Sequence, residues 1–287
     1  MIRRSDYIVD LTIRNSLWVL QRFPYERRIP LAGHLMKHLV APFTDMHHRI
    51  TSNIDLALPE LTKEARNRIR TRCLDNFGRL FSEFYSFPEF HRRAAGFSVI
   101  GPGCDALCRA RRRGQPVILI SGHFGNFHAC PAALRARSER VAVMYQHMKN
   151  RHFDRHYVKV LEDIGDPAFA RGRRGTIGFI RHLRSGGIVA ALNDQHDAAG
   201  TVLDFMGLPA RTNLALAKIA MDHDALMLPS YGIRKADGLE FDVLFEAPIP
   251  HTDPESMTQA LNDSLERQVR AHPEQWYWVH RRWKNVA

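Results

Sequence analysis

Residues 117–130 read VILISGHFGNFHAC. The first five are rich in Val, Ile and Leu and run into Gly122, which predicts a buried strand that ends in a tight turn. His123 follows the turn, and in open α/β sheets ligands bind just beyond the carboxyl ends of strands. A second histidine, His128, stands five positions later. The segment is either an active site or a strand end that happens to carry two histidines.

The sequence around this segment predicts an α/β fold. Short apolar runs recur along the chain after residue 96, and stretches with helical spacing follow several of them, which is typical of a mixed central sheet sandwiched by helices. The strands predicted are Phe97–Ile100, Val117–Ser121, Val141–Tyr145, Ile188–Leu192, Leu226–Ile233 and Leu239–Phe245, and the helices are Ala129–Arg137, Thr176–Arg184, Leu214–Asp222 and 254–271. Residues 1–95 are helical in pattern throughout. We therefore expect a helical N-terminal extension, membrane-associated, on an α/β domain of residues 96–287, in one structural unit.

The chain is basic, with 41 Lys and Arg against 30 Asp and Glu and a net charge of +11. Such a charge suits nucleic acid, anionic lipid headgroups or an acidic carrier protein, and does not choose among them. No helix-turn-helix, base-stacking or zinc pattern supports nucleic-acid binding. Cys104 and Cys108 form one C-x3-C pair without a matching second pair, so we expect neither a metal site nor a cofactor.

The N-terminal residues contain apolar side chains at helical spacing between basic ones. No stretch reaches the ~18 uncharged apolar residues that a membrane-spanning helix needs. Ile8, Leu11, Trp18 and Val19 would share one face of a helix. That helix either packs on the domain or lies in a membrane interface, where Trp and Arg are common.

The glycines and the asparagine beside His123 suit acyl transfer. Gly122 and Gly125 allow tight turns whose N–H groups can face an oxyanion, and Asn126 is a good N-cap for the next helix. A histidine that takes a proton from a hydroxyl, beside donors that hold an oxyanion, is what acyl transfer requires. A histidine that is merely hydrogen-bonded at a strand end is the commoner case.

The segment GHFGN resembles the start of the H-x4-D/E box of the lipid A late acyltransferases, the lauroyl/myristoyl branch of the glycerolipid acyltransferase superfamily. Further segments resemble that family and stand in its order from residue 76 to residue 284. They are Asn76–Arg79, Tyr145 with Lys149-Asn150, Arg171–Gly175, Asp194-Gln195, Phe205–Ala210, Pro273–Trp276 and His280–Lys284. A lone box would be a weak signal, whereas this ordered set is specific.

The resemblance implies an enzyme on the cytoplasmic face of the bacterial inner membrane, held there as a peripheral or monotopic protein. It would transfer a fatty acyl chain from acyl carrier protein, or from acyl-CoA, to a hydroxyl of an anionic glycolipid or lysophospholipid, as in lipid A biosynthesis. The implied fold is glycerolipid acyltransferase-like, with the box over the sheet and His123 as the general base. It implies that Arg171 and Arg174 bind phosphate, that Phe205 and Gly207 line part of the acyl pocket, and that the basic run 109–113 docks the carrier or lipid.

The sequence departs from the family pattern at His128, which stands where the box has Asp or Glu. If His128 only occupies that place, changing it to Asp or Glu would restore a charge and raise activity, which requires no rearrangement elsewhere. If Asp194 supplies the charge instead, with Asp197 as second candidate, the same change would be neutral or harmful. The alternative function is a degenerate member of the family that binds lipid and has little or no activity.

Overall fold

The computed structural model describes residues 4–284. Residues 1–3 of the predicted N-terminal extension and residues 285–287 of the predicted α/β domain lie outside the described residues. The elements in chain order are α1 (Arg4–Leu20), α2 (Tyr25–Leu35), α3 (Met46–Ala57), α4 (Lys63–Phe84), α5 (Phe87–Ala94), β1 (Ser98–Ile100), α6 (Gly103–Arg113), β2 (Val117–Ser121), α7 (Ala129–Arg135), β3 (Val141–Tyr145), α8 (Arg151–Ile164), β4 (Ala168–Ala170), α9 (Arg173–Arg184), β5 (Ile188–Leu192), β6 (Thr201–Phe205), β7 (Leu208–Thr212), α10 (Ala215–Asp222), β8 (Leu226–Arg234), β9 (Phe241–Phe245) and α11 (Pro254–Ala271). A π-helical turn, Met36–Val40, extends α2, and 3-10 turns cover Ala41–Phe43 and Pro273–Gln275.

Seven strands form the central sheet, in the order β1-β9-β8-β2-β5-β3-β4. All neighbours are parallel except β8 and β9, which pair antiparallel as a hairpin. The predicted mixed sheet with helices around it is therefore confirmed. The sequence patterns missed α6, β4, α8 and the separate β6–β7 hairpin. β4 has only three residues, which is too short for a periodic signal.

The sheet is buried on both faces. Val117 and Leu119 of β2 belong to one core cluster and Ile118 and Ile120 to the other, because successive side chains of a strand point to opposite faces. The four side chains are at most 2% exposed. A strand covered on both sides reads as a continuous apolar run rather than an alternating one, which is what the quoted segment shows.

The N-terminal helices share the core of the α/β region. Tyr25 and Ile29 of α2 lie in the same apolar cluster as Phe241 of β9. Glu83 of α4 and Arg234 of β8 form a buried ion pair, with a distance of 2.8 Å between Nη2 and Oε2. These contacts position α4 beside the carboxyl end of β2.

Helix α1 is more exposed than the helices that follow it. Ile8 and Trp18 are 62% and 58% exposed, and Phe43, in the turn after the π-helical segment, is 86% exposed. The side chain of Arg22 lies over the Trp18 ring. Within residues 4–284, no helix combines the length and the apolar character needed to cross a bilayer.

Candidate active site

The loop after β2 is held in place by the C-terminal residues of the chain. The N–H of Gly125 donates to the carbonyl of Gln275 at 2.8 Å, and the N–H of Tyr277 donates to the carbonyl of His123 at 2.9 Å. Gly125 has a φ of +54°, and a Cβ there would overlap the carbonyl oxygen of Gly232. A glycine is therefore required at this position, both for its backbone angle and for the close approach of β8.

His123 is bound by Asp194, which lies just beyond the end of β5. The distance between His123 Nδ1 and Asp194 Oδ1 is 2.7 Å. The backbone N–H of His123 donates to the other carboxylate oxygen at 2.8 Å. β2 and β5 are parallel neighbours, with Ser121 opposite Leu192, so their carboxyl ends meet at the same edge of the sheet. The adjacency of β2 and β5 thus brings together two residues that are 71 positions apart in the chain.

Asp194 is buried and ionised. Trp276 Nε1 donates a third hydrogen bond to the carboxylate, at 2.9 Å. Burial alone would raise the pKa of Asp194, but the attraction of His123 and these hydrogen bonds outweigh it, and its pKa lies well below the ordinary range. A permanent carboxylate fixes the His123 tautomer with the proton on Nδ1. The lone pair of Nε2 is then free to accept a proton, which is the state a general base needs.

Two further side chains surround His123 Nε2. Gln195 Nε2 lies 3.4 Å from His123 Nε2 and 3.1 Å from His280 Nε2. The His280 and His123 rings meet edge to face, with 4.7 Å between centroids. Burial, together with the neighbouring His123, lowers the pKa of His280 to about 4, so His280 is neutral near pH 7. The family-like segments contained Gln195, Trp276 and His280, but nothing in their spacing predicted that they meet His123.

His128 lies in an aromatic cluster and not on the Nδ1 atom of His123. Its ring is 4.3 Å from that of Phe127 and 5.3 Å from that of Phe84, between centroids. Its backbone N–H donates to Asn126 Oδ1 at 2.9 Å. The carboxylate on His123 Nδ1 is Asp194. The geometry therefore favours the alternative in which Asp194 supplies the charge beside His123, over the expectation that His128 merely occupies the place of a carboxylate.

Two N–H groups of the box are already occupied. The N–H groups of Gly125 and Asn126 donate to Gln275 and Gly232. The Asn126 side chain donates to Glu83 at 2.9 Å and accepts from His128. The expectation that the Gly125 N–H faces an oxyanion is wrong, because the loop is folded against β8 and the C-terminal segment. For the Gly122 N–H the expectation stays a prediction. Gly122 keeps the turn close, since a Cβ there would press on Leu265 and Asp194 Oδ2.

Arg171 and Arg174 lie at the same edge of the sheet as His123, but farther along it. Both are exposed, after β4 and at the start of α9. β4 is three strands from β2, which corresponds to about 14 Å at ~4.8 Å per strand. Their role in binding a phosphate stays a prediction.

Phe205 and Gly207 each have a structural role that does not depend on an acyl chain. Phe205 is buried, with its ring 5.4 Å from Trp276 and 6.0 Å from Trp283, so its surface is filled by the core. Gly207 has a φ of +74° in the exposed turn between β6 and β7, which explains the glycine without a ligand. Their assignment to an acyl pocket stays a prediction, which these contacts do not support.

Two other sequence candidates are positioned away from His123. Asp197 pairs with Asn213 and caps the N–H of Ala199 at 3.0 Å. The basic run at the end of α6 precedes the start of β2, and five strand residues, ~17 Å, separate it from the catalytic edge. Arg111 within that run is already paired with Glu139. Among residues 4–284, no group of three or more potential ligands is arranged to hold a metal ion.

The partly buried His128 predicts acid sensitivity of the fold. Burial, with a contribution from His123, lowers the pKa of His128 from 6.5 to about 3. The unfolded chain therefore binds a proton below pH 6.5 that the folded chain does not, and the free energy of unfolding falls as the pH drops from 6.5 toward 3. We expect His128→Gln to reduce the stability lost between pH 7 and pH 5 by about 2 kcal/mol. Urea denaturation at both pH values measures this.

His48 supplies the matched control, because its side chain is exposed in the folded chain. His48→Gln should leave the loss of stability between pH 7 and pH 5 unchanged. Equal pH dependence in the parent and in His128→Gln would contradict a partly buried, neutral His128.

Comparisons with known proteins agree with the resemblance of residues 122–126 to the acyltransferase box. Residues 3–285 match the family described as bacterial lipid A biosynthesis acyltransferase. The lipid A biosynthesis lauroyltransferase of Escherichia coli K12 is 24% identical over 279 residues, which cover 93% of this chain and 89% of the relative. A phosphatidylinositol mannoside acyltransferase of Mycobacterium tuberculosis is 25% identical over 217 residues, 73% of this chain and 68% of the relative. The chain thus belongs to the bacterial lipid A biosynthesis acyltransferase family, and it is an acyltransferase.

Proposed function

We propose that the protein is an active O-acyltransferase that moves a fatty acyl chain from the thioester of acyl carrier protein, or of coenzyme A, to a hydroxyl of an anionic glycolipid. The observation that carries the proposal is the pairing of His123 Nδ1 with the buried carboxylate of Asp194, which leaves Nε2 as the ring nitrogen that the carboxylate does not bind. The names of the relatives, which act in lipid A and phosphatidylinositol mannoside synthesis, support a glycolipid as acceptor. A lysophospholipid is the smaller alternative acceptor.

The chemistry follows from the tautomer of His123. Nε2 takes the proton of the acceptor hydroxyl while its oxygen attacks the thioester carbonyl carbon, and the resulting imidazolium is stabilised by Asp194. The tetrahedral intermediate then collapses. The carbon–sulfur bond breaks, the new ester remains, and the proton on Nε2 passes to the departing thiolate. No covalent enzyme intermediate is needed, and His123 returns to its starting state.

The degenerate, lipid-binding alternative rests on the missing carboxylate at residue 128. Asp194 provides a carboxylate at 2.7 Å from His123 Nδ1, so the histidine at residue 128 is no evidence for lost activity. The basic side chains at the start of α9 support an acceptor with a phosphate, because guanidinium groups bind phosphate bidentately. We assign that role to Arg171 and Arg174, as sites remote from the reacting bond.

The deciding experiment is an acyl-transfer assay. Purified protein is incubated with a bacterial membrane lipid extract and either labelled acyl carrier protein or labelled acyl-CoA, and the acylated lipid is identified by mass spectrometry. An acylated glycolipid supports the proposal, and the better donor identifies the carrier. A lipid that binds without being acylated, with either donor, would support the degenerate alternative.

We also propose that the protein works at the cytoplasmic face of the bacterial inner membrane. The exposed apolar side chains of α1 lie beside basic ones, as in helices that rest in a membrane interface. We expect binding to vesicles with anionic lipids, weakening as salt rises, because charge attraction is screened over ~10 Å at about 0.1 M salt. Vesicle flotation at increasing salt measures it.

A double variant, Trp18→Ser with Val19→Ser, should weaken flotation at every salt concentration, since it removes apolar area from the interface. Ile177, which is 49% exposed on α9, gives a matched control, and Ile177→Ser should float like the parent. Equal flotation of the parent and the double variant would show that α1 is not the membrane contact.

A further inference from the structure

The N–H groups that follow His123 in the box cannot stabilise an oxyanion. The N–H of His123 donates to Asp194, that of Phe124 to Gly122, that of Gly125 to Gln275 and that of Asn126 to Gly232. Attack on a thioester nevertheless places negative charge on the carbonyl oxygen, and a donor aimed at that oxygen is worth about 10²–10³ in rate. With these four N–H groups engaged, a side chain close to His123 Nε2 is the donor best placed for that oxygen.

We propose that the side-chain amide of Gln195 is that donor, and that Gln195 is a catalytic residue of the acyl transfer. This inference rests on the proposed function. Its Nε2 lies 3.4 Å from His123 Nε2. Among the described residues, His280 is the other polar side chain that meets this edge of His123, and it faces Gln195 with an acceptor nitrogen.

The tautomers determine which end of the Gln195 amide faces the two histidines. Because the His123 proton is on Nδ1, toward Asp194, its Nε2 is an acceptor. An amide oxygen at that position would face a lone pair, so the NH₂ group is the end that fits. Its two hydrogens then point at the two Nε2 atoms, and His280 carries its own proton on Nδ1. His280 thereby holds Gln195 in place.

The same position serves the reaction. The acceptor hydroxyl replaces Gln195 as the hydrogen-bond partner of His123 Nε2, which frees one N–H of the amide. The attacked carbonyl carbon lies ~3–3.5 Å from the hydroxyl oxygen in a reactive arrangement. A donor 3.4 Å from the base is then within hydrogen-bond range of the oxygen on which charge develops. The other N–H stays on His280, so the amide need not rotate.

Residues under Gln195 fix its backbone. Arg282 is fully buried in the C-terminal segment and donates to the carbonyl of Arg211 at 2.8 Å and to Thr212 Oγ1 at 2.6 Å. Its guanidinium also approaches the Gln195 carbonyl at 3.5 Å. The backbone of Gln195 is therefore held by contacts with a buried side chain and does not belong to a free surface loop.

The test compares the parent with Gln195→Met, which keeps the length of the side chain and removes the donor. We expect kcat to fall 10²–10³-fold while KM for the acyl donor changes less than about threefold, because the contact strengthens only as charge develops. Gln115, whose amide donates to Asp224 at the opposite edge of the sheet, provides the control. Gln115→Met should keep the parent's kcat.

A second measurement does not depend on turnover. A dodecyl trifluoromethyl ketone, hydrated to a tetrahedral carbon, should bind the parent at least tenfold more tightly than it binds Gln195→Met, as measured by calorimetry. Equal affinity, or an unchanged kcat in Gln195→Met, would overturn the role of Gln195. A parent without acyl transfer to any lipid would refute the proposed function, whereas the ketone comparison would still decide whether Gln195 binds a tetrahedral centre.

Discussion

His123→Ala is expected to abolish acyl transfer and to leave the fold intact. The substitution removes the side chain that we propose as the acceptor of the hydroxyl proton. Loss of a catalytic histidine in a comparable triad leaves only the contribution of binding and oxyanion stabilisation. The ring is partly exposed at a strand end, so its removal opens little space in the core. Steady-state turnover of labelled donor, with far-UV circular dichroism as the check on folding, measures the effect.

The chain contains a second histidine–aspartate pair that serves as a control. His147 Nδ1 lies 2.7 Å from Asp154 Oδ2, the same distance as in the site, but the His147 side chain is 58% exposed. His147→Ala should retain the activity of the parent. Equal kcat for His123→Ala and the parent, under conditions where the chemical step limits the rate, would exclude His123 as the base.

Asp194→Asn is expected to lower kcat by about 10⁴, equivalent to about 5 kcal/mol. An amide is uncharged and cannot stabilise the imidazolium, and its NH₂ group can turn the His123 tautomer so that the proton sits on Nε2. Because the carboxylate also accepts from Trp276, thermal unfolding must show that the variant is folded. Asp197→Asn, which changes a carboxylate paired with Asn213, should lower kcat far less.

The His128→Glu variant distinguishes the two explanations of the departure from the box. With Asp194 on Nδ1, a carboxylate at residue 128 would be placed among Phe84 and Phe127, where burial disfavours its charge. We expect His128→Glu to be neutral or harmful in kcat and to leave Asp194→Asn unrescued in the double variant. A faster His128→Glu enzyme, or rescue of Asp194→Asn, would show that a carboxylate at residue 128, where the box has Asp or Glu, can still act on His123.

The sequence predicted the parts of this protein that depend on local pattern. The strand Val117–Ser121 was recovered with its bounds, because a strand buried on both faces is a continuous apolar run that ends at glycine. The position of His123 beyond that strand followed from the same pattern. The hairpin β6–β7 was missed because Phe205 and Gly207 were interpreted as lining a pocket, whereas the Phe205 ring packs against Trp276 and Trp283.

The sequence by itself thus determined the mixed α/β fold, the family and the histidine that we propose as the base. Only the tertiary structure decided which groups surround that histidine. Asp194 stood among the sequence candidates, but the parallel pairing of β2 with β5 is what sets its carboxylate 2.7 Å from Nδ1. Gln195 reaches His123 Nε2 because it follows Asp194 in the loop after β5. His280 meets the His123 ring because the C-terminal segment returns across the loop. Hydrogen bonds and charge interactions act over a few ångströms in space, and distance along the chain says little about which residues meet at that range.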